Sequence, residues 1–308
     1  MDLCKSKKFI NLDGDLFLYY KDDKLVSLLD TDNIFWKRER KIEEGGAGEI
    51  IEFKSGSKEY TDLAVKFFFD YEKEKYFIEK EIYFTNFFIN HRCRNFIKTG
   101  VKTINNGETV VIMEKVDGDL LSLEWDKFKN PKYIFNEFVK FLADGYKCAL
   151  SYNKYFLDIK EENLGYKICD DSIKFTFLDF GSFSEKEDKY VSVTNIINRN
   201  AHKKNYFSNE MYLVYGTIIT LLILRLKVAG KKCATKFEKF IFEDLETRKR
   251  YPKTNLLLLQ NYEEIKEHFY KDFHRDDEFI NLLFKILHSL TKEEPNVESF
   301  IKKIDCFY

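Results

Sequence analysis

The runs Phe156-Leu157-Asp158-Ile159-Lys160-Glu161-Glu162-Asn163 and Leu178-Asp179-Phe180-Gly181 decide how this chain is read. The first sets a carboxylate, an ammonium and an amide within a few residues. The second adds another carboxylate, followed by an aromatic ring and a glycine. Either run alone reads as a surface turn. Together, in this order, each beside an apolar strand-like segment and both downstream of Leu63-Ala64-Val65-Lys66, they are hard to assign to chance.

Around these runs the chain is of ordinary globular type. It has 308 residues, 44% of them hydrophobic and 33% charged, which is enough for a sizeable core and too apolar for a disordered segment. Lys plus Arg (51) nearly cancels Asp plus Glu (52), so no strong overall field recruits nucleic acid or anionic lipid, and no nucleic-acid partner is expected. The six cysteines are scattered without a Cys-x-x-Cys pair and read as reduced thiols of a cytoplasmic protein. Met211 to Leu224 is almost wholly apolar, but a membrane span needs roughly 20 such residues. The reading is a helix buried on all sides, with no membrane span.

Periodicity divides the chain. Leu16 to Tyr20 and Leu25 to Leu29 predict a hairpin. Glu49 to Phe53, Leu63 to Phe68, Phe96 to Val101 and Thr109 to Met113 predict further strands, the last two joined by the turn Asn105-Asn106-Gly107. Tyr71 to Ile89 predicts one long helix. Beyond Gly118 the spacing becomes helical: Ile134, Phe135, Phe138, Phe141, Leu142 and Tyr146 form one apolar face. Further helices are expected near Thr235 to Glu246, Asn261 to Phe273, Asp276 to Leu290 and Val297 to Ile304.

From about Trp36 onward, these motifs and this order of elements resemble the eukaryotic-type Ser/Thr protein kinases. The resemblance implies an α+β, bilobal, protein-kinase-like fold: an antiparallel-sheet N-lobe with one helix over 36–114, then the hinge and a helical C-lobe over 115–308. Residues 1–35 would be an N-terminal extension. Glu43-Glu44-Gly45-Gly46-Ala47-Gly48-Glu49-Ile50 is similar to the family's glycine-rich loop, with Glu43 where its first glycine should be. Lys66 is similar to the strand lysine that steadies the α- and β-phosphates, and Glu81, rather than Glu79, best matches its glutamate partner by spacing. Gly45, Gly46, Gly48, Ile50, Ala64, Lys66 and the gatekeeper Met113 would line an ATP site. The backbones of Glu114 and Val116 would bond the purine and Asp119 would meet the ribose. Asp158 would accept or orient the proton of the substrate hydroxyl, Lys160 would steady the γ-phosphate, and Asn163 and Asp179 would bind magnesium. The implied cofactors are ATP and Mg2+, and the implied partner is a protein with a Ser/Thr acceptor.

The chain departs from the family in a pattern. Leu157 replaces the arginine beside the catalytic aspartate, so no basic pocket receives an activation-loop phosphate and that switch is expected to be absent. Ser184, Ser192 and Thr194 should then be dispensable, unless Arg199 or Lys203 has become the receiver. Phe156 replaces histidine and would keep a packing column near Phe180. No A-P-E motif follows, Glu294-Pro295 stands where the family has Arg-Pro, and Met211 replaces an aspartate. Three readings stay open: an active Ser/Thr kinase; a pseudokinase binding nucleotide or protein; and a kinase-fold enzyme acting on a small molecule, against which Lys160 argues. The richness in Phe, Tyr, Lys, Ile and Asn points to an AT-rich genome, of a parasite or a large DNA virus, and for a viral protein to the host cytoplasm or virion.

Overall fold

The computed structural model describes residues 7–11, 15–21, 24–44, 48–69, 71–91, 93–104, 108–169, 172–185, 208–240 and 262–307. The chain is of α+β type and forms two compact units, one of residues Met1–Gly118 with Gly165–Gly181, the other of Asp119–Leu164 with Ser182–Tyr308.

The first unit is built on an antiparallel sheet. Its strands are β1 (Leu16–Lys21), β2 (Lys24–Asp30), β3 (Phe35–Glu44), β4 (Gly48–Ser55), β5 (Leu63–Phe68), β6 (Thr99–Thr103) and β7 (Thr109–Glu114), in the order β1-β2-β3-β4-β5-β7-β6. The expected first hairpin is present, and its second strand pairs directly with β3, so the hairpin extends the main sheet. Between β2 and β3, the buried Asp30 accepts backbone N–H bonds from Asp32 and Ile34, and Asn33 takes a left-handed φ of 58°. Period-two alternation turns Leu16, Leu18, Leu28, Trp36, Phe53, Leu63, Val65, Val110 and Ile112 into one core. Trp36, fully buried, satisfies its indole N–H on the Thr61 carbonyl at 2.9 Å. The strand expected from Phe96 begins only at Thr99; Phe96 instead makes an isolated parallel bridge to Phe177. The turn at 105–107 lies outside the described residues.

The one α-helix among the described residues of this unit, α1 (Tyr71–His91), packs against β6. A smaller sheet follows, ordered β11-β10-β8, from β8 (Gly118–Asp119), β10 (Leu164–Cys169) and β11 (Ser172–Phe177).

The second unit is mainly helical. Helix α2 (Pro131–Leu150) starts where Asn130 accepts the Tyr133 N–H and proline occupies the first turn, and it buries Ile134, Phe135, Phe138, Leu142 and Tyr146 as expected. Phe141 is only half-buried, and Val139 and Ala143 complete the face. A two-stranded sheet pairs β9 (Lys154–Phe156) with β12 (Phe183–Glu185). Helix α3 (Asn209–Ala229) is capped by Ser208, whose side chain accepts from the Met211 N–H. It is the one helix among the described residues long and apolar enough to cross a membrane, and 89% of that apolar window is buried, as in a core helix. Within it Thr217 bonds Tyr146 at 2.8 Å, and burial pushes the Tyr146 hydroxyl well above the usual phenol range, while the buried Tyr215 hydroxyl has no hydrogen-bond partner. Helices α4 (Lys231–Lys239), α5 (Tyr262–Phe269), α6 (Glu278–Ser289) and α7 (Val297–Asp305) follow. The expected extension of α4 to Glu246 lies outside the described residues.

The cysteines correct one expectation. Cys93, Cys148 and Cys169 are in disulfides, while Cys233 and Cys306 are free thiols. Cysteine usage therefore does not argue for a reducing compartment as the scattered spacing had suggested.

Arg225, near the end of α3, is buried against the Phe135 and Phe273 rings and bonds the Asp277 carboxylate at 2.7 Å. Asp277 also accepts the Ile280 N–H and so caps α6. Asp277→Ala removes both the counter-charge and the cap and should cost about 3–5 kcal/mol. Asp277→Asn keeps the cap and should cost clearly less. The midpoint and slope of urea unfolding measure both; equal losses would show that the cap carries none of the cost.

Candidate active site

The register of the first sheet gathers the expected nucleotide-binding side chains. Ile50 is paired with Lys66 and Lys66 with Val111; Glu52 is paired with Ala64 and Ala64 with Met113. Directly paired residues share a face, as do residues two apart on one strand. Ile50, Ala64, Lys66 and Met113 therefore lie on one face of β4, β5 and β7, opposite the core face of Ile51, Leu63, Val65 and Ile112. Gly48 is required by space: a Cβ there would stand 2.2 Å from the Phe67 carbonyl oxygen. Gly45 and Gly46 lie outside the described residues.

Lys66 reaches both carboxylate oxygens of Glu81 on α1, at 2.8 and 2.6 Å, with both side chains largely buried. Glu79 is instead solvent-exposed, 4.0 Å from Lys75. Beyond β11 the chain turns at Asp179, whose Oδ1 accepts the Gly181 N–H at 2.9 Å. A Cβ on Gly181 would lie 3.2 Å from Asp179 Oδ1 and 3.5 Å from Glu81 Oε2, so the turn rests against the carboxylate that holds Lys66. Phe180, 2% exposed, packs between Phe88 of α1 and Phe96 with centroids 5.9 and 6.1 Å away.

The electrostatics follow from this crowding. Burial alone would pull the Lys66 ammonium down, but Glu81 and Asp179, with Glu43 adding to them, raise it above its ordinary value and keep it charged. Burial pushes the Glu81 carboxyl up, and Lys66 opposes that while Asp179 reinforces it.

The Glu114 N–H is used by the Lys98 carbonyl at 2.8 Å and its carboxylate bonds Lys167 at 2.7 Å. Val116 makes no backbone bond among the described residues. Asp119 accepts the Ser122 N–H at 2.8 Å, so one carboxylate oxygen shapes a turn as well as standing where a ribose contact was expected.

In the second unit, a short 3-10 turn over Glu161–Asn163 sets the other candidate group. Asn163 Nδ2 donates to the Asp158 carbonyl at 2.7 Å, to Asp158 Oδ2 at 3.2 Å and to Ser182 Oγ at 3.2 Å. Lys160 stands 3.5 Å from Asp158 Oδ2. Leu157 is fully buried and donates its N–H to the Ser182 carbonyl, and Phe156 packs on Phe183 with centroids 4.9 Å apart. Asp158 with Lys160 in this unit, and Asp179 with Lys66 in the first, are carboxylates and ammonium groups of the types that phosphoryl chemistry uses. Magnesium takes one or two carboxylate or amide oxygens and completes its shell with water and phosphate. Asn163 in the one unit and Asp179 in the other are each oxygen donors of that kind. No group of three or more His, Cys, Asp or Glu among the described residues could hold a metal ion.

Several supporting residues escape motif reading. Thr220, inside the apolar α3, donates its hydroxyl to the Ile159 carbonyl at 3.0 Å. Lys227, at the end of the same helix, bonds Glu161 at 2.6 Å and Glu238 at 3.2 Å. These contacts tie the loop to α3. Their only signal is a polar residue within an otherwise apolar helix. Likewise Glu294 accepts the Ser208 hydroxyl.

Comparison of the chain with protein-family models gives no match, and neither does comparison with curated proteins.

Glu161 is pushed up to about 7, chiefly by burial, with Lys227 opposing; one of its oxygens has no partner, and Lys227 is shared with Glu238. A carboxyl raised in the folded state makes that state bind more protons than the unfolded one between the two values. Stability therefore falls as pH rises from about 4.5 to about 7. Glu161→Gln should remove this loss, gaining on the wild type progressively between pH 5 and 8 by about 1–3 kcal/mol in urea unfolding. Parallel pH profiles for the two proteins would contradict the assignment.

Proposed function

We propose that this chain is an ATP- and magnesium-dependent protein kinase that transfers the γ-phosphate to Ser/Thr hydroxyls. The observation that carries the reading is the buried Lys66–Glu81 pair with the Asp179–Gly181 turn resting on it. In this reading the fold is the bilobal kinase fold, and Lys66, fixed by Glu81, grips the α- and β-phosphates. Asp158 takes or orients the proton of the acceptor hydroxyl, and Lys160 offsets charge on the transferred group. Asn163 and Asp179 hold magnesium, which when bound neutralises charge on the phosphates. Catalysis is then positioning and cation clamping, since little covalent chemistry falls to the protein. A pseudokinase scaffold is the alternative, favoured by Glu43, whose carboxylate adds negative charge toward Lys66 where the phosphates would lie.

Residues 182–185 are held by contacts that need no phosphate. The buried Lys154 on β9 forms an ion pair with Glu185 on β12, and Asn209 donates to the Glu185 carbonyl at 2.6 Å. Glu185 thus gives a nearby cation the anion that a phosphate would otherwise supply. Ser184, one of the three residues expected to be dispensable, is fully buried; Ser192, Thr194, Arg199 and Lys203 lie outside the described residues.

Purified protein with magnesium, labelled ATP and a generic basic protein should label Ser or Thr, and Asp158→Asn should not. Nucleotide binding without transfer would favour the scaffold. Ser192→Ala with Thr194→Ala should change the rate by less than about tenfold, or roughly 1.4 kcal/mol. A dead double variant revived by acidic residues at those positions would show that phosphate is needed.

A further inference from the structure

The sheet face opposite the core, at its β1–β4 end, carries two rows of side chains that the site above does not use. The register aligns Phe17 with Leu29 and Leu29 with Phe35; one step along, Tyr19 faces Ser27, Ser27 faces Lys37 and Lys37 faces Lys54. Phe17, Tyr19 and Phe35 are 38%, 51% and 51% exposed, and both lysines are exposed. Phe35 lies over Gly56, where a Cβ would come within 2.6 Å of its ring, so the ring rests on backbone with its other side in solvent.

Two features of this face work against stability of the chain alone. Lysines directly opposite one another across neighbouring strands repel. Neither Lys37 nor Lys54 has a carboxylate partner among the described residues, and the nearest acidic residue along β3 is the exposed Glu39. Aromatic rings are left partly in water on β1 and β3, on either side of the half-buried Leu29 of β2. A polyanion relieves the first and a flat π-face covers the second.

We propose that this face binds single-stranded nucleic acid, with bases stacking on Phe17, Tyr19 and Phe35 and the phosphate backbone tracking Lys37 and Lys54. Exposed rings beside cations form the stacking platform and electrostatic track that unpaired strands use. The surface is an open strand face, which suits stacked bases better than an acidic helix seeking a groove. The near-zero net charge does not reveal it, because net charge says nothing of how charge is distributed over one face.

The test is fluorescence anisotropy of the full-length protein with labelled single-stranded oligothymidylate and oligouridylate. Binding should be tighter than to a duplex of equal length and should weaken with salt, with a log–log slope of about −0.7 per phosphate contacted. Lys37→Glu with Lys54→Glu should weaken it about tenfold or more. Phe35→Ala should weaken it about fivefold or more, and Tyr19→Ser supplies a second stacking test should loss of the ring over Gly56 unfold the sheet. Phosphoryl transfer by the Lys37→Glu/Lys54→Glu variant should match the wild type, so failure here and failure of the kinase reading are distinguishable. No binding at low salt, binding indifferent to these substitutions, or capture only by anionic lipid vesicles would overturn the proposal.

Discussion

The ion pair between Lys66 and Glu81 is the constraint on which the first unit is arranged. A lysine on a strand paired on both sides cannot swing into water, and its burial is tolerable only with a counter-charge delivered to it. Helix α1 supplies that carboxylate, so the pair fixes the rotation of the helix about its own axis. The same rotation carries Phe88 to Phe180 and sets Glu81 against Gly181. Removing one partner would leave a buried charge stranded, at a cost of about 3–5 kcal/mol. Local structure, packing and the candidate chemistry therefore depend on one another here.

In the second unit, the helix that anchors the loop around Asp158 and Asn163 is apolar along nearly its whole length. Four polar groups on it have defined partners: Thr217 with Tyr146, Thr220 with the Ile159 carbonyl, Arg225 with Asp277 and Lys227 with Glu161 and Glu238. A buried charge with a defined partner specifies register more sharply than an apolar contact does, and Lys227 and Arg225 play that part for α3. The burial of Glu161, one of whose oxygens has no partner, is the source of its pH sensitivity.

How legible each feature was in the sequence depended on the range of the interaction that makes it. Strand β5, helix α1 and the face of α2 follow from alternation and three-to-four spacing, which are local. The preference for Glu81 over Glu79 followed from spacing to Lys66, and the geometry has Glu81 in contact with Lys66 and Glu79 in solvent. The late start of β6 escaped because Phe96 is drawn to Phe177, far along the chain, rather than to its neighbour strand. The Lys154–Glu185, Lys227–Glu161 and Ser208–Glu294 contacts were invisible for the same reason: each joins ordinary charged or polar residues whose proximity only the fold creates. The disulfides of Cys93, Cys148 and Cys169 escaped because spacing along the chain does not report spacing in the structure. The aromatic–lysine face was hidden in the composition, since it exists only when the four strands β1 to β4 set their alternate residues side by side.

The central claim, that Lys66, Glu81 and Asp179 form one phosphate- and metal-gripping group, is tested most directly by titrating the protein with ATP in the calorimeter, with and without magnesium. Wild type should bind ATP markedly more tightly with the metal. Asp179→Ala should lose that magnesium dependence while keeping the fold, and Lys66→Met should weaken binding in either condition. Binding of wild type that is equally tight with and without magnesium, and unchanged by Asp179→Ala, would contradict the claim.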